Sequence, residues 1–321
     1  MTRKINVDLF KKLIDEADSI SICSHISPDG DAVGSSTGLY LALKDLGKEV
    51  YLIKNDDFPS NLSFIGNKEY YTDKEPFETD LYIVVDLSDA PRSGIGAEYE
   101  KLAKTSLCID HHQVQTSYCD HDIIVSDISS SCELVTNLLL GAGYNINEQA
   151  ATFLYLGIST DTHRFQYDSS DADTLRTAAK LLDLGADKNF INLSLYENLN
   201  VNYLQLQAEV ISKSRIFKDG KFILGRLTKD QLEKYNLDNA TTEGLVSILK
   251  SISGIELSCI VKEHDDKDQK ISFRSKESID VSKLAKEFGG GGHIRASGCT
   301  ILEDNETAYN KVLERLEKIE C

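Results

Sequence analysis

Short apolar runs alternate with amphipathic segments along the first half of the 321-residue chain. The segment at 32–47 places leucines at helical intervals and ends at a glycine, which indicates a helix. Strands are predicted for the apolar runs before and after it, at 20–23, 50–53, 81–85 and 106–109. Strands that alternate with helices usually join in parallel. The pattern therefore predicts a mostly parallel sheet flanked by helices, with ligands at the carboxyl ends of the strands.

The hydrophobic pattern changes near residue 214. Before it, 171–185 and 190–212 both have helical periodicity, and the second stretch has few glycines or prolines. After it, Asp219-Gly220 separates two apolar runs within 215–227, which indicates a β-hairpin. The remaining elements predicted here are strands at 257–261 and 271–274 and helices at 243–252 and 306–319.

The length of the chain favours two domains, because single hydrophobic cores stop growing at about 250–300 residues. The helical stretch with few breakers is typical of a connector between them. We therefore expect an α/β protein with three parts. These are an N-terminal domain at 1–188 with a mostly parallel sheet, a helical linker at 189–213, and a smaller α/β domain at 214–321.

Acidic residues and histidines follow several of the apolar runs directly. In chain order they are His25, Asp29, Asp31, Asp86, Asp110, His111, His112 and Asp161. Carboxylates and imidazoles gathered at one edge of a parallel sheet are a ligand set suited to Mn²⁺ or a similar ion. Single motifs also have plainer explanations: Asp29-Gly30 as a turn, Asp31 as a helix N-cap and Asp86 as the cap of a turn. The serines at 129–131 are interpreted as the structural start of a helix.

A second cluster of polar residues lies in the C-terminal part. Four glycines at 289–292 precede His293 and Arg295, and glycines allow backbone N–H groups to line a nest for an anion. Arg274, just before Ser275 in a strand-like run, has the planar fork that binds phosphate at two points. The sequence therefore predicts a phosphate-binding site in the smaller domain, although a glycine run alone is more often a flexible turn.

Net charge restricts the class of partner. The formal charge is −17, and residues 1–200 hold 32 Asp and Glu against 16 Lys and Arg, whereas residues 201–321 hold 20 against 19. Long nucleic-acid duplexes bind through many Lys and Arg side chains, so a duplex partner is not expected. A small anionic substrate needs only a local pocket, and it fits the near-neutral C-terminal part.

The sequence lacks the patterns of a membrane span, a signal peptide and a disulfide framework, and this bears on the protein's location and on the state of its cysteines. No apolar run reaches the roughly 20 residues of a membrane span, and the N-terminus has no signal-peptide pattern. Seven cysteines without a C-x-x-C pair predict free thiols rather than a disulfide framework. We therefore expect a cytoplasmic protein that is not bound to a membrane.

The acidic and histidine motifs resemble those of the DHH/DHHA1 phosphoesterase family, with Asp110-His111-His112 as the signature and the GGGGH segment at the correct place after it. The resemblance covers nearly the whole chain, and the two-domain size is most similar to the bacterial nano-RNase and pAp-phosphatase branch. It implies a Mn²⁺-dependent phosphoesterase, with Co²⁺ or Mg²⁺ as other metals. Such an enzyme releases mononucleotides from short RNA and linear dinucleotides such as pApA, and converts adenosine 3′,5′-bisphosphate (pAp) to AMP.

The resemblance also implies a role for each candidate residue. It assigns two overlapping ligand sets to two Mn²⁺ ions: His25, Asp29 and Asp86 to one, and Asp31, Asp86, His111 and Asp161 to the other. Asp86 would bridge the ions, His112 would contact the phosphate, and Asp110 would orient the ligands. In the smaller domain it assigns substrate binding to Arg274, Ser275, Gly291, Gly292, His293 and Arg295.

Two positions depart from the family pattern. Gln115 stands where an asparagine is common, and His163 replaces the usual glycine after the Asp-Thr of the fourth motif. Both changes affect loops near the expected metals. Three other functions stay open: a cyclic dinucleotide phosphodiesterase, an inorganic pyrophosphatase, and a nucleotide sensor without catalysis. The oligomeric state stays open between a monomer and a homodimer.

Overall fold

The computed structural model describes residues 4–56, 62, 64, 68–112, 118–239, 242, 244–265 and 267–319. The chain divides into two compact units, Met1–Asn198 and Leu199–Cys321. This division falls within the range 189–213 that the sequence predicts as a linker. Gln115, one of the two departures from the family pattern, lies outside the described residues.

The first unit is built around a six-stranded sheet. Its elements are α1 (Val7–Glu16), β1 (Ser19–Cys23), α2 (Gly30–Asp45), β2 (Glu49–Ile53), β3 (Tyr71–Thr72), β4 (Leu81–Val85), α3 (Gly96–Leu102), β5 (Thr105–Asp110), β6 (His121–Ile124), α4 (Ser131–Gly141), α5 (Glu148–Asp161), α6 (Ala172–Asp183) and α7 (Lys188–Tyr196). All neighbouring strands pair in parallel, in the order β3-β2-β1-β4-β5-β6. The predicted parallel sheet is confirmed.

The strand order reverses beside β1. Strands β2 and β3 follow on one side of β1, and β4, β5 and β6 follow on the other. In open parallel sheets such a reversal creates a crevice at the carboxyl ends of the central strands. The ends of β1, β4 and β5 are neighbours at this edge, so the polar residues that follow these strands are brought together.

Helices α2 and α5 approach each other closely because glycines line their contact. A side chain added at Gly157 in α5 would collide with Cys132 and with the carboxylate of Asp31. A side chain added at Gly30 would collide with Thr160. The absence of side chains at these two positions lets the start of α2 lie against the end of α5, so the first-turn aspartate of α2 approaches the last residue of α5.

The second unit also has a six-stranded sheet, but most of its neighbouring strands are antiparallel. Its elements are α8 (Val201–Lys213), β7 (Arg215–Phe217), β8 (Phe222–Leu227), α9 (Lys229–Lys234), α10 (Leu245–Ser251), β9 (Leu257–Asp265), β10 (Asp268–Ser275), α11 (Val281–Glu287), β11 (Gly291–His293), β12 (Ala296–Ile301) and α12 (Asn305–Glu317). The order is β11-β12-β10-β9-β8-β7, with β8 and β9 in parallel. Phe222, Phe273, Val281 and Val312 belong to its buried core. A second α/β unit is therefore confirmed.

The structure corrects some predicted elements. The continuous helix predicted at 190–212 is wrong, because α7 ends at Tyr196 and Asn200 caps a new helix by accepting a hydrogen bond from the backbone N–H of Asn202 (2.8 Å). The hairpin at 215–227 is confirmed by the antiparallel pairing of β7 and β8. The short elements α9, α11, β11 and β12 were not predicted, since three to seven residues carry little periodicity.

The cysteines within the described ranges are free, as the sequence predicts: Cys23, Cys108, Cys119, Cys132, Cys259 and Cys299. Among the helices of the described segments, none combines the length and the apolar character needed to cross a membrane.

Candidate metal centre

The loop after β1 delivers predicted ligands to the start of α2. Asp29 is the N-cap of α2, and its Oδ1 accepts hydrogen bonds from the backbone N–H groups of Asp31 (3.0 Å) and Ala32 (3.1 Å). The predicted cap at Asp31 is therefore wrong by two residues, because Asp31 lies in the first turn and is buried. Capping engages one oxygen of Asp29, and a carboxylate has a second oxygen with which to bind a cation.

His25, Asp29 and Asp86 form the first group of candidate ligands, with one ligand atom from each within 4.8 Å of the others. His25 Nε2 lies 3.6 Å from Asp86 Oδ2. Its Nδ1 lies 2.8 Å from the carbonyl oxygen of Ile26 and also 2.8 Å from Arg92 Nη2. When Nδ1 donates to Ile26, Arg92 Nη2, which can only donate, is left with the same carbonyl oxygen (3.3 Å), and Nε2 is the nitrogen available to a metal. Burial acts to lower the pKa of His25, but Asp86, the carbonyl oxygen of Ile26 and the charge of Asp29 together outweigh it and raise the pKa.

Asp31, His111 and Asp161 form the second group, again with ligand atoms within 4.8 Å of one another. His111 Nε2 lies 3.8 Å from Asp31 Oδ2 and 3.7 Å from Asp161 Oδ2. The same nitrogen lies 3.6 Å from Asp86 Oδ1. These separations exceed hydrogen-bond distance, and they are the spacing expected of donor atoms arranged around an ion.

Asp86 lies between the two groups. Its Oδ2 faces His25, its Oδ1 faces His111, and the side chain is buried. The residue has a φ of 56°, which is uncommon for a non-glycine residue but tolerated by aspartate. Burial acts to raise the pKa of Asp86, yet the three nearby histidines outweigh it, so the pKa falls below its usual value.

The other carboxylates of the centre repel one another in the absence of a cation. Burial, followed by the charges of Asp86 and Asp29, raises the pKa of Asp31 well above its usual value. Burial and the charge of Asp31 raise the pKa of Asp161 to about 8. Buried carboxylates that lack sufficient neutralising charge are costly, and divalent cations bound to them remove that cost. The residues present therefore fit a metal centre.

His112 is held as a cation beside these groups. Its Nδ1 lies 2.9 Å from Oδ1 of Asp110, which also accepts hydrogen bonds from the backbone N–H groups of His111 and His112. Burial acts to lower the pKa of His112, but Asp110 and then Asp86 outweigh it and raise the pKa to about 9. Asp110 is buried, and its Oδ2 has no hydrogen-bond partner among the described residues. These carboxylates therefore favour the protonated, positively charged form of His112 at the edge of the centre.

The start of α4 holds two of the carboxylates, a role that the sequence did not reveal. The backbone N–H groups of Ser131 and Cys132 donate to the two oxygens of Asp31, at 2.7 and 2.9 Å. The hydroxyl of Ser131 donates to Asp86 Oδ1 at 3.1 Å. Ser130 is the N-cap, as the serine run predicts. The interpretation of 129–131 as purely structural is therefore wrong for Ser131, which orients a candidate bridging ligand.

Replacing Ser131 with alanine is expected to weaken Mn²⁺ binding about 10- to 100-fold, as is typical when an outer partner of a metal ligand is removed. The backbone bonds to Asp31 would remain, so the loss should be smaller than for a ligand itself. Isothermal titration calorimetry with Mn²⁺ measures the change. Ser130→Ala is the control: it removes the helix cap without touching a carboxylate, so it should lower stability and leave the affinity unchanged. Equal affinities in all three proteins would contradict the orienting role.

In the second unit, Arg274 and the glycine segment lie on strands that both flank β12. Arg274 on β10 pairs in register with Ala296 on β12, and Gly292 on the edge strand β11 pairs with Ser297. Ser275 is buried, and its hydroxyl donates to the carbonyl oxygen of Ile279 at 2.6 Å. We therefore correct the prediction for Ser275: its hydroxyl supports the loop rather than facing a substrate.

The predicted nest of glycine N–H groups is only partly present. The N–H of Gly289 donates to the carbonyl oxygen of Lys286, and that of Gly290 donates to Ala285, so both close the end of α11. Gly291, Gly292 and His293 instead form the edge strand β11. The nest is therefore wrong for Gly289 and Gly290, and the exposed residues that follow are Gly292, His293, Ile294 and Arg295.

Cationic side chains that the sequence did not single out lie near Arg274. Burial lowers the pKa of Lys250 on α10, and the charges of Arg274 and Lys276 lower it further. Lys250, Arg274 and Lys276 are close enough for the last two to lower the pKa of the first, so this part of the second unit is attractive to an anion. The sequence did not reveal that Lys250 and Arg274 are close, because they are far apart along the chain.

Comparison with known proteins gives matches over both units. The DHH family, N-terminal domain, matches residues 19–158, and the DHHA1 domain matches residues 219–319. The Bifunctional oligoribonuclease and PAP phosphatase NrnA of Thermus thermophilus is 30% identical over 300 residues, which cover 92% of this chain and 88% of that protein. The chain belongs to the DHH/DHHA1 phosphoesterase family.

Two further comparisons have similar coverage. The protein of the same name from Bacillus subtilis is 30% identical over 305 residues, covering 94% of this chain and 95% of that one. The crystal structure of an exopolyphosphatase-related protein from Bacteroides fragilis is 33% identical, with a TM-score of 0.92, and covers 99% of this chain and 98% of that chain. The fold and its two-domain order are therefore those of this DHH branch.

Proposed function

We propose that this DHH-family chain is a metal-dependent phosphoesterase that hydrolyses short oligoribonucleotides and linear dinucleotides to mononucleotides, and pAp to AMP. The observation that carries the proposal is the pair of ligand groups that face the two oxygens of Asp86, with the cation of His112 beside them. The substrate class follows the names of the two NrnA relatives, and the match to each of them covers more than 90% of this chain.

The proposed cofactors are two Mn²⁺ ions. His25, Asp29 and Asp86 would hold one ion, and Asp31, Asp86, His111 and Asp161 the other. Mixed carboxylate and imidazole ligands suit Mn²⁺, and Co²⁺ or Mg²⁺ can replace it at such sites. When bound, two such ions lower the pKa of water and offset the negative charge that develops on the phosphoryl oxygens.

Side chains of the first unit have separate roles in the proposed reaction. The imidazolium of His112 donates an N–H to a phosphoryl oxygen, where negative charge increases in the transition state. Asp110 fixes the orientation of that ring through Nδ1 and stabilises its charge. Backbone N–H groups at the start of α4 keep the Asp31 carboxylate in place, so the ligands are ordered before substrate arrives.

Substrate recognition is proposed for the second unit. Arg274 would bind an anionic group of the nucleotide, with Gly291, Gly292, His293 and Arg295 on β11 and the turn that leads from it to β12. A local group of cations suffices for substrates with two or three phosphates, which agrees with an overall charge of −17. We propose that the protein does not bind long nucleic-acid duplexes.

Arg274→Ala is expected to raise KM for pApA about 10- to 100-fold and to change kcat little, because a lost bond to a charged group weakens ground-state and transition-state binding equally. Steady-state kinetics at saturating Mn²⁺ measures both constants. Arg215→Ala is the matched control, since Arg215 is exposed on β7 and pairs with Glu317 (2.8 Å). A kcat that falls while KM stays constant would show that Arg274 acts in the chemical step instead.

The proposed activity is tested by incubating purified protein and Mn²⁺ with pApA, pAp, cyclic di-AMP, pyrophosphate and a long RNA duplex in separate reactions. Chromatography then resolves the products. We expect AMP from pApA and from pAp, and an intact duplex. Cleavage of cyclic di-AMP alone would select the cyclic dinucleotide phosphodiesterase, and cleavage of pyrophosphate alone the pyrophosphatase. Binding of pApA without turnover of any substrate would select the nucleotide sensor.

A further inference from the structure

The turn that follows Asp161 has an unusual backbone. His163, Arg164 and Phe165 have φ values of 49°, 61° and 62°, three left-handed residues in succession without a glycine. L-residues avoid this region, so the surrounding structure must hold the turn. It does so with several hydrogen bonds: the N–H of Arg164 donates to the Ser159 carbonyl oxygen (2.7 Å), and the N–H of Phe165 donates to Thr162 Oγ1 (2.9 Å).

The side chains of the three left-handed residues make different contacts. Phe165 packs against Tyr155, with ring centroids 6.2 Å apart, and the guanidinium of Arg164 lies 4.8 Å from the ring centroid of Tyr196. These contacts anchor the turn to its own unit. His163 is directed to the surface instead, where its ring stacks on Tyr167 at 5.2 Å between centroids and 11° between planes.

The stacked pair of His163 and Tyr167 is an aromatic surface beside the metal centre. Tyr167 is 43% exposed, and His163 is exposed as well. Consecutive Cα atoms are about 3.8 Å apart, so the Cα of His163 lies at most about 7.6 Å from that of Asp161. This is comparable to the span of one nucleotide from phosphate to base. The Cα of His163 is therefore within one nucleotide's span of a ligand of the metal centre.

We propose that His163 and Tyr167 form a stacking platform for the nucleobase of the nucleotide whose phosphate the metal centre holds. The inference rests on the proposed function, because it requires a nucleotide at that centre. Every base has a π-face, so stacking of this kind tolerates any base. Stacking would also discriminate nucleotides from pyrophosphate, because pyrophosphate has no base. The platform thus makes this site favour a nucleotide over a bare phosphoanhydride.

A fluorescent reporter tests the platform without relying on turnover. The chain has no tryptophan, so Tyr167→Trp introduces a single indole at the platform. With Mn²⁺ present, AMP is expected to quench its fluorescence in a saturable way, and ribose 5-phosphate, which lacks the base, is expected not to. Leu302→Trp, at a position 76% exposed in the second unit, is the control for non-specific quenching. Equal quenching in both proteins, or none in Tyr167→Trp while AMP still binds by calorimetry, would overturn the proposal.

Alanine variants supply a second measurement. Tyr167→Ala and His163→Ala are each expected to weaken AMP binding roughly 5- to 100-fold and to leave ribose 5-phosphate binding unchanged, since one base–aromatic contact is lost. Tyr167→Phe keeps the ring and should retain the wild-type affinity. Equal weakening for both ligands would overturn the stacking role. If pApA is not hydrolysed but AMP still quenches Tyr167→Trp selectively, the proposed activity fails and the base platform stands.

Discussion

Replacement of Asp86 is expected to abolish hydrolysis and to disrupt metal binding in both ligand groups. Its two oxygens face His25 and His111, which belong to different groups, so no other single side chain among the described residues joins them in this way. If Asp86 holds both ions as proposed, its loss would remove charge stabilisation from both, and we expect turnover of pApA to fall by at least ~10³-fold, equivalent to about 4 kcal/mol. Calorimetry with Mn²⁺ and product analysis by chromatography measure the two effects.

The choice of substitution matters at this position. Alanine is strained at the φ of 56° found here, whereas asparagine tolerates left-handed backbone and has nearly the same volume as aspartate. Asp86→Asn is therefore the main test, and Asp86→Ala is secondary. Asp89→Ala is the control, because Asp89 lies three residues further along the same loop, is exposed and belongs to neither ligand group. Full Mn²⁺ affinity and activity in Asp86→Asn would show that the bridging assignment is wrong.

Much of the candidate centre could be predicted because its residues follow strands. Apolar runs of four or five residues predict β1, β4 and β5, and a parallel sheet aligns the carboxyl ends of these strands. His25, Asp86 and His111 could therefore be placed at one edge without any contact being known. Asp31 and Asp161 also meet there, but their approach depends on the glycine-lined contact of α2 with α5.

The parts that could not be predicted depend on packing between distant segments. Ser131 contacts Asp86 across 45 positions, and its sequence context indicates only a helix start, which is also present. Arg274 lowers the pKa of Lys250, which lies on a different element. Ser275 looks available in the sequence, yet a loop carbonyl accepts its hydroxyl. Local patterns report on secondary structure, whereas the partner of a polar side chain is decided by tertiary structure.

Replacing His112 with glutamine is expected to lower kcat about 10²- to 10³-fold, close to the effect of removing a charge-stabilising donor from an active site. Glutamine keeps a hydrogen-bond donor but not the positive charge that Asp110 and Asp86 maintain on the imidazole. Mn²⁺ affinity should fall far less than in Asp86→Asn, because His112 lies outside the two proposed ligand sets. Single-turnover kinetics with pApA, together with Mn²⁺ calorimetry, separates the chemical step from metal binding.

A double-mutant cycle with Asp110→Asn identifies how the pair acts. Asp110 touches His112 Nδ1 at 2.9 Å and is proposed to act through that ring, so Asp110→Asn alone should lower kcat less than His112→Gln. When His112 is already glutamine, the Asp110 substitution should add little, because residues that act as a unit are not additive. Additive losses would show that Asp110 contributes independently of His112. A loss of Mn²⁺ binding in His112→Gln as large as in Asp86→Asn would instead make His112 a metal ligand, which its 3.6 Å separation from Asp86 Oδ1 would then explain.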